Sequence, residues 1–159
     1  MQDLNVYEQF RDSMRRFATD KVAPHAAEAD RTSSFPAAAF AAFREEGLLG
    51  LAFEEDLGGQ NGDLMSLVIC GEEVARCCAT SSQLLMNNWI ASFPLLQYAT
   101  RELIEAVIPP VAAGQKSMGW CLTEPQSGSD LWSLQTRAEP SGNGWTLNGR
   151  KRFITGGTW

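Results

Sequence analysis

The chain has 159 residues, 44% of them hydrophobic, which is enough apolar surface for a folded core. Asp and Glu number 19 and Lys and Arg 13, so the formal net charge is -6. An acidic protein without a basic run repels a phosphate backbone, and we expect no nucleic-acid partner. The apolar runs are shorter than the roughly 20 residues of a membrane span, and the N-terminal segment is not typical of a signal peptide. We therefore expect a cytoplasmic protein without a membrane span.

Cysteine and histidine do not occur with metal-ligand spacing. The four cysteines lie at positions 70, 77, 78 and 121, and His25 is the one histidine. Zinc sites and redox motifs need paired cysteines two residues apart or Cys/His sets, and this sequence has neither. We expect free, buried thiols and no metal site.

Apolar residues at helical spacing predict five helices in the first two thirds of the chain. The first covers about 4 to 21, with Asp3 as N-cap and Pro24 beyond its end, and the second opens at Phe35-Pro36 and stops at Gly47. The other three run from an Asp63 cap to Cys78, from about 82 to 98, and from a Thr100 cap to about Ile108. Thr80-Ser-Ser is expected to separate two of them, Pro94 to kink or divide the fourth, and Pro109-Pro110 to end the fifth.

After Gly114 the apolar period changes to the alternation of a strand. Strands are predicted over 118–123 and 133–139, and Pro140-Ser-Gly-Asn-Gly144 is predicted to be a turn. Asn148-Gly149 predicts a hairpin between 145–147 and 150–155. The predicted fold class is therefore α+β, with an N-terminal α-helical bundle over 1–115 and the first strands of an antiparallel β domain over 116–159.

The segment Cys121-Leu-Thr-Glu-Pro-Gln-Ser-Gly-Ser-Asp130 closely resembles the signature of the acyl-CoA dehydrogenases. Three further features fall where that family has them: Asp56-Leu-Gly-Gly59, Leu147-Asn-Gly149 and Phe153-Ile-Thr155. The resemblance spans the whole chain. It implies the family's N-terminal helical domain and the start of its middle β domain, with the C-terminal helical bundle of the family absent from this chain.

The resemblance implies an FAD site, and the residue types suit one. Backbone groups of a strand can pair with the pyrimidine edge of a flavin, and the Thr123 hydroxyl can both donate and accept. Glycine at 128 lets the backbone approach a diphosphate closely, without a Rossmann glycine pattern. The cofactor-binding residues implied are Trp120, Cys121, Leu122, Thr123, Gly128, Ser129, Phe153, Ile154 and Thr155. Ser129 is also the implied acyl-CoA contact.

Each of these features alone has an ordinary structural explanation. Trp120 and Phe153 alone would be core aromatics, and Ser127-Gly128-Ser129 alone would be a plain turn. The helically spaced Met86, Trp89 and Phe93 favour bundle core over the lining of an acyl pocket. A flavin site is favoured by the joint occurrence of these features in one chain and not by any one of them. Glu124 and Asp130 are assigned to fixing the local structure.

The activity implied is α,β-dehydrogenation of an acyl-CoA thioester in fatty acid metabolism. Electron-transfer flavoprotein is the implied electron acceptor, and a homo-oligomer or a partner chain is expected to complete the fold. The family's catalytic glutamate belongs to its C-terminal bundle, so we expect no catalytic residue in this chain and no activity from the chain alone. The alternatives are a non-catalytic split or truncated module that binds a partner chain, and an acyl-CoA oxidase or flavin monooxygenase on the same scaffold.

Overall fold

The computed structural model describes residues 4–157. They form two compact units, one up to Met118 and one from Gly119 onwards. The first contains the helices α1 (Leu4–Phe17), α2 (Ala23–Thr32), α3 (Ala37–Glu45), α4 (Leu64–Cys77), α5 (Ala79–Tyr98) and α6 (Arg101–Ala112). The second contains one antiparallel pair of strands, β1 (Arg137–Ser141) and β2 (Gly144–Asn148). The predicted α+β class, helices first and antiparallel strands afterwards, is confirmed.

The core of the helical unit is built around a short segment between α3 and α4. Phe43 on α3, Leu49 in the segment, Leu85 on α5 and Ile108 on α6 are fully buried together. Trp89 on α5 donates its indole N–H to the Leu49 carbonyl at 3.1 Å, so the largest core side chain also satisfies a buried backbone acceptor.

The segment over 54–63, which lies between α3 and α4, packs closely against this core. Leu57 is buried within a short 3₁₀ turn over Glu55–Leu57. A Cβ atom on Gly59 would lie 2.1 Å from the Phe53 carbonyl oxygen, so only glycine fits this close approach of two backbone segments. Gly59 therefore serves packing within the helical unit, whereas Gly58 supplies the positive φ of 79° that ends the 3₁₀ turn.

The prediction that the first helix ends before Pro24 is wrong. After α1 the chain passes through a wider π-helical turn over Ala18–Val22 and continues directly as α2, with Pro24 in its first turn. The Ala23 N–H donates to the Ala18 carbonyl, five residues back. This wider turn gives the proline ring the space that an α-helical turn would deny it, and a first-turn proline needs no N–H partner. The Asp3 cap lies outside the described residues.

The predicted caps of α4 and α6 are confirmed, but the predicted breaks are wrong. Asp63 accepts from the Ser66 N–H at 2.9 Å, and Thr100 accepts from the Leu103 N–H at 3.4 Å. The break between α4 and α5 is the single extended residue Cys78, and Ser82 is buried inside α5, where its hydroxyl donates to the Gly71 carbonyl at 2.9 Å. A serine with a buried carbonyl to bond continues a helix that its propensity alone would interrupt.

Pro109 and Pro110 lie inside the helix that they were predicted to end, and Pro94, which was predicted to kink or divide its helix, does not divide it. Pro94 is internal to α5, and Pro109 and Pro110 are internal to α6. Ile108 and Val111, on either side of the α6 pair, are fully buried. Tertiary packing of the flanking residues therefore outweighs the lost backbone hydrogen bonds.

The strand predictions are correct for one hairpin and wrong for the other. The chain turns at Gly142-Asn143, inside the predicted 140–144 turn, and Gly142 has the positive φ of 59° that a two-residue hairpin turn requires. Asn148 is instead paired with Arg137 across the sheet. A Cβ on Gly149 would lie 2.1 Å from the Thr136 hydroxyl oxygen, so this glycine allows close packing and does not form a turn. Residues 118–123 are not a regular strand in the structure.

Two expectations concern cysteines and membranes. All four cysteines are free, but only Cys70 is buried; Cys77 and Cys78 are half-buried and Cys121 is exposed. Burial raises the pKa of the Cys70 thiol to about 12. None of the helices in the described part of the chain is both long and apolar enough to cross a bilayer.

Candidate functional site

The second unit brings together the two segments that the sequence assigns to one site. The Arg152 N–H donates to the Thr123 carbonyl at 2.9 Å, and the Lys151 ammonium donates to the Leu122 carbonyl at 3.0 Å. A Cβ on Gly119 would lie 3.6 Å from a methyl carbon of Ile154. Residues 119–123 and 150–155 therefore run side by side, although neither is a regular strand.

Some polar groups along these two segments have no partner within residues 4–157. The amide N–H groups of Trp120, Cys121 and Leu122 meet no protein acceptor there, and neither do the hydroxyls of Thr123 and Thr155, which are half-buried. These unpaired donors and the two hydroxyl groups can bind the acceptors and donors of a heterocyclic ligand.

Phe153 stands out by its backbone and its exposure. Its φ is 57°, a left-handed conformation that is strained for an aromatic residue, and its side chain is 79% exposed. The Arg152 guanidinium carbon lies 4.4 Å from the ring centroid. Within residues 4–157 the ring therefore lies outside the core and beside the Arg152 guanidinium, with most of its surface free for stacking.

The loop over 124–130 is tightly closed at its base and open at its tip. Glu124 and Ser127 exchange backbone hydrogen bonds at 2.8 and 3.2 Å, and the Ser127 hydroxyl donates to the Asp130 carbonyl. Gly128 and Ser129 form the exposed tip, where a Cβ on Gly128 would meet no atom within 4 Å. The absence of neighbouring atoms leaves room for a ligand to approach the backbone of this glycine.

Glu124 is the buried centre of this loop. Its carboxylate accepts hydrogen bonds from the Gln135 amide at 2.7 Å, the Thr136 amide at 3.0 Å and the Lys151 ammonium at 2.9 Å. Hydrogen bonding from Thr136, the Lys151 ammonium and the Gln135 amide holds the pKa of Glu124 well below its usual range.

Asp130 has a similar local role. It accepts from the Trp132 N–H at 3.2 Å and so caps the short 3₁₀ turn Leu131–Ser133. The assignment of Glu124 and Asp130 to local structure is confirmed. Sequence reasoning missed Lys151, and no local signal distinguishes it from Arg150 and Arg152 on either side.

A separate apolar depression lies in the helical unit. It has a volume of about 130 Å³ and is lined by Leu64, Leu67, Val68, Met86, Trp89, Ile90 and Phe93. Trp89 is 2% exposed and belongs to the core, as expected, whereas Phe93 is 47% exposed at the rim. Within residues 4–157, no three side chains of His, Cys, Asp or Glu are grouped as metal ligands.

Two neighbouring carboxylates on α4, Glu72 and Glu73, form ion pairs with arginines. Glu73 is 2% exposed and accepts from Arg11 and Arg15 on α1 and from Arg76 on α4 at 2.9 to 3.1 Å. Hydrogen bonding from Arg15, supported by Arg11, lowers the pKa of Glu73 to about 2 despite its burial. Its neighbour Glu72 pairs with Arg11 at 2.8 Å.

Family models decide where this arrangement belongs. The acyl-CoA dehydrogenase N-terminal domain matches residues 6–115, and the acyl-CoA dehydrogenase middle domain matches residues 119–159. The chain belongs to the acyl-CoA dehydrogenase family. The resemblance carried by the Cys121–Asp130 segment is thereby confirmed.

Individual relatives agree with this membership. The probable acyl-CoA dehydrogenase FadE25 of Mycobacterium tuberculosis is 36% identical over 156 residues, covering 96% of this chain and 40% of that protein. The 3-sulfinopropanoyl-CoA desulfinase of Paraburkholderia xenovorans is also 36% identical, over 94% of this chain and 38% of its own. The acyl-CoA dehydrogenase of Bacillus anthracis complexed with FAD has a TM-score of 0.81 at 25% identity, covering 93% of this chain and 26% of that one.

The coverage of these relatives is partial. The chain spans about 40% of the length of the curated acyl-CoA dehydrogenases that it matches.

Proposed function

We propose that this chain supplies the FAD-binding portion of an acyl-CoA dehydrogenase that catalyses α,β-dehydrogenation of an acyl-CoA thioester. The observation that carries the proposal is the side-by-side placement of 119–123 and 150–155, with unpaired amides on Trp120 to Leu122. We further propose that 1–115 is the family's N-terminal helical domain and that 116–159 begins its middle β domain. The cytoplasm remains the predicted location.

The residues fit a flavin in two ways. The amides over 120–122 and the hydroxyls of Thr123 and Thr155 supply hydrogen bonds for the polar edge of the ring system, and the exposed ring of Phe153 supplies a stacking surface. Cys121, Leu122 and Ile154 contribute backbone groups. The open backbone at Gly128 and the Ser129 hydroxyl lie at a loop tip where a diphosphate can approach.

FAD, when bound, supplies the hydride acceptor. The residues of this chain hold and orient: Thr123 and Thr155 by hydrogen bonds, Phe153 by stacking, and Ser129 toward both cofactor and acyl-CoA. We assign no catalytic base within the chain, since Glu73 is held by three arginines and Glu124 by its own network. Electron-transfer flavoprotein is the proposed electron acceptor, and an oligomer or partner chain is the proposed setting.

A second reaction on the same scaffold is favoured by one relative. The 3-sulfinopropanoyl-CoA desulfinase is as similar to this chain, at 36% identity, as FadE25 is. The residues in this chain that we assign to FAD and acyl-CoA would serve either reaction. Within the longer protein, anaerobic bleaching of the flavin by a saturated acyl-CoA supports dehydrogenation, whereas loss of the sulfino group from 3-sulfinopropanoyl-CoA without bleaching supports desulfination.

Titration of the 159-residue chain with FAD tests the cofactor proposal. We expect quenching of flavin fluorescence on binding, and Thr123→Ala and Ser129→Ala should each weaken the affinity by about fivefold or more, because each removes one hydrogen-bonding hydroxyl. Thr146→Ala and Ser141→Ala are matched controls on the exposed hairpin.

Three outcomes are informative. Weaker binding in the site variants with normal binding in the controls supports the proposal. Equal affinity in all five proteins would mean that the site is misplaced. Failure of the wild-type chain to bind FAD would favour the non-catalytic module that acts only with a partner chain.

A further inference from the structure

We propose that Glu124 and Lys151 are positioning residues of the cofactor site, and that the ion pair between the buried Glu124 and the partly exposed Lys151 fixes the 124–130 loop so that its Gly128-Ser129 tip receives the diphosphate. Neither residue is assigned to touch the cofactor. The inference rests on the proposed function, because it concerns the same site, but it makes a claim of its own about how the loop is held.

The Glu124 carboxylate accepts hydrogen bonds from separate parts of the chain. Its donors come from three places in the chain: the Gln126 side chain at 2.6 Å within the loop, the Gln135 and Thr136 amides just before β1, and the Lys151 ammonium after β2. One side chain, 3% exposed, therefore fastens the loop to both ends of the hairpin. Removing it would release all three attachments together.

Lys151 contacts two different segments of the proposed site. Its ammonium bonds the Glu124 carboxylate at 2.9 Å and the Leu122 carbonyl at 3.0 Å. The backbone N–H of the next residue, Arg152, bonds the Thr123 carbonyl at 2.9 Å. The lysine thus sets the 150–155 segment against both the loop and the 119–123 segment, which are the three parts of the proposed site.

The number of donors around Glu124 requires an ionised side chain at this position. Four donors converge on the Glu124 side chain, and an ionised carboxylate accepts about four hydrogen bonds and donates none. A glutamine keeps the shape but turns one oxygen into an NH₂ donor that would face other donors. Removing Lys151 also leaves the Glu124 charge buried without its counter-charge.

The effect is transmitted to the tip through the backbone. Glu124 and Ser127 exchange backbone hydrogen bonds, and Gly128 and Ser129 follow directly. A Cβ on Gly128 would meet no neighbour within 4 Å, and the hydrogen bond that the Ser129 carbonyl accepts from the Leu131 N–H, at 3.1 Å, is local to the end of the loop. The conformation of the tip therefore depends on the base of the loop, which the Glu124–Lys151 pair fixes.

The test compares Glu124→Gln, Lys151→Met, their double variant and Lys151→Arg in the full chain. Glu139→Gln, on the hairpin, and Lys116→Met, in the segment after α6, each remove an exposed charge outside the proposed site and are the matched controls. Two quantities are measured: the FAD dissociation constant, and amide hydrogen exchange at Gln135 and Thr136 and throughout β1 and β2. Exchange reports on the loop and the hairpin without any cofactor.

We expect Glu124→Gln and Lys151→Met each to weaken FAD binding about tenfold or more and to speed exchange at Gln135 and Thr136. The amides of β1 and β2 should stay protected from exchange, and Lys151→Arg should keep most of the wild-type affinity for FAD. In the double variant, the loss of FAD-binding free energy should be smaller than the sum of the losses in the two single variants. The two controls should match the wild type.

The contrary results are distinct. Unchanged FAD affinity in both single variants, with normal binding by the wild type, overturns the positioning role and leaves the FAD proposal intact. Loss of exchange protection throughout β1 and β2 also overturns it, because the pair would then be a general structural support. Equal losses of FAD affinity in Lys151→Arg and Lys151→Met overturn it as well, because the charge of Lys151 would then be irrelevant. Absence of FAD binding by the wild-type chain overturns both proposals.

Discussion

At the scale of single residues, Glu73 shows how the chain uses a buried carboxylate to join two helices. Three arginine side chains, from α1 and α4, donate to it, and its pKa falls to about 2 from an ordinary 4.5. A carboxyl with a lowered folded-state pKa stabilises the fold above its unfolded pKa, and this contribution is lost as the pH falls toward the folded value. The stabilisation from Glu73 should therefore decline between about pH 5 and pH 2.

This predicts the behaviour of Glu73→Gln in denaturant unfolding across pH. The variant should be less stable than the wild type at pH 7, and the difference should shrink as the pH is lowered from about 5 toward 2, since the wild-type advantage requires the ionised form. Glu72→Gln is the matched control, because Glu72 is 55% exposed and pairs only at the surface. A constant difference between wild type and Glu73→Gln from pH 7 to pH 3 would contradict the prediction.

Residue-scale features were predictable where they are local. The Asp63 and Thr100 caps bond amides three residues onward, so sequence spacing alone identifies them. Glu73 meets Arg11 and Arg15 from about 60 residues away, and Glu124 meets Lys151 across the hairpin. No local pattern specifies such partners, so both networks emerged only from the structure.

At the scale of elements, periodicity located five of the six helices, but it missed α2 (Ala23–Thr32) and several points where helices end. Ser82 and the Pro109-Pro110 pair were expected to interrupt helices by intrinsic propensity, yet all three residues lie inside them, and Pro94 does not divide α5. Burial of neighbouring side chains decides these cases, and burial depends on residues distant in sequence. Asn148-Gly149 failed as a turn signal for a related reason, because Gly149 is required for packing against Thr136.

Gly149→Ala tests this reading of the hairpin. The new Cβ would lie 2.1 Å from the Thr136 hydroxyl oxygen and 2.6 Å from its Cβ, so the residues at the base of the hairpin must move apart. We expect a cost of about 1 to 3 kcal/mol, typical of overpacking, seen as faster amide exchange in β1 and β2. Gly144→Ala is the control, since its Cβ would meet nothing within 4 Å. Equal effects of both substitutions would contradict the packing role.

At the scale of the whole molecule, the two units differ in how well they cover their apolar side chains. The helical unit encloses a core of fully buried residues, whereas every residue of β1 and β2 is exposed, including Trp145 at 67% and Leu147 at 74%. Trp132 is 99% exposed beside the proposed cofactor loop. A small sheet with two free edges and exposed aromatic residues favours association with other chains.

We therefore expect the 159-residue chain to self-associate at micromolar concentration, and the hairpin to be responsible. Trp145 and Leu147 lie two residues apart on β2 and so on one face, and replacing both with threonine keeps strand propensity while removing apolar surface. The double variant should shift the chain toward monomer in sedimentation analysis. Leu64→Thr, which removes an equally exposed apolar side chain from α4, should leave the association unchanged. The opposite pattern would place the associating surface on the helical unit and separate it from the unit that we propose binds FAD.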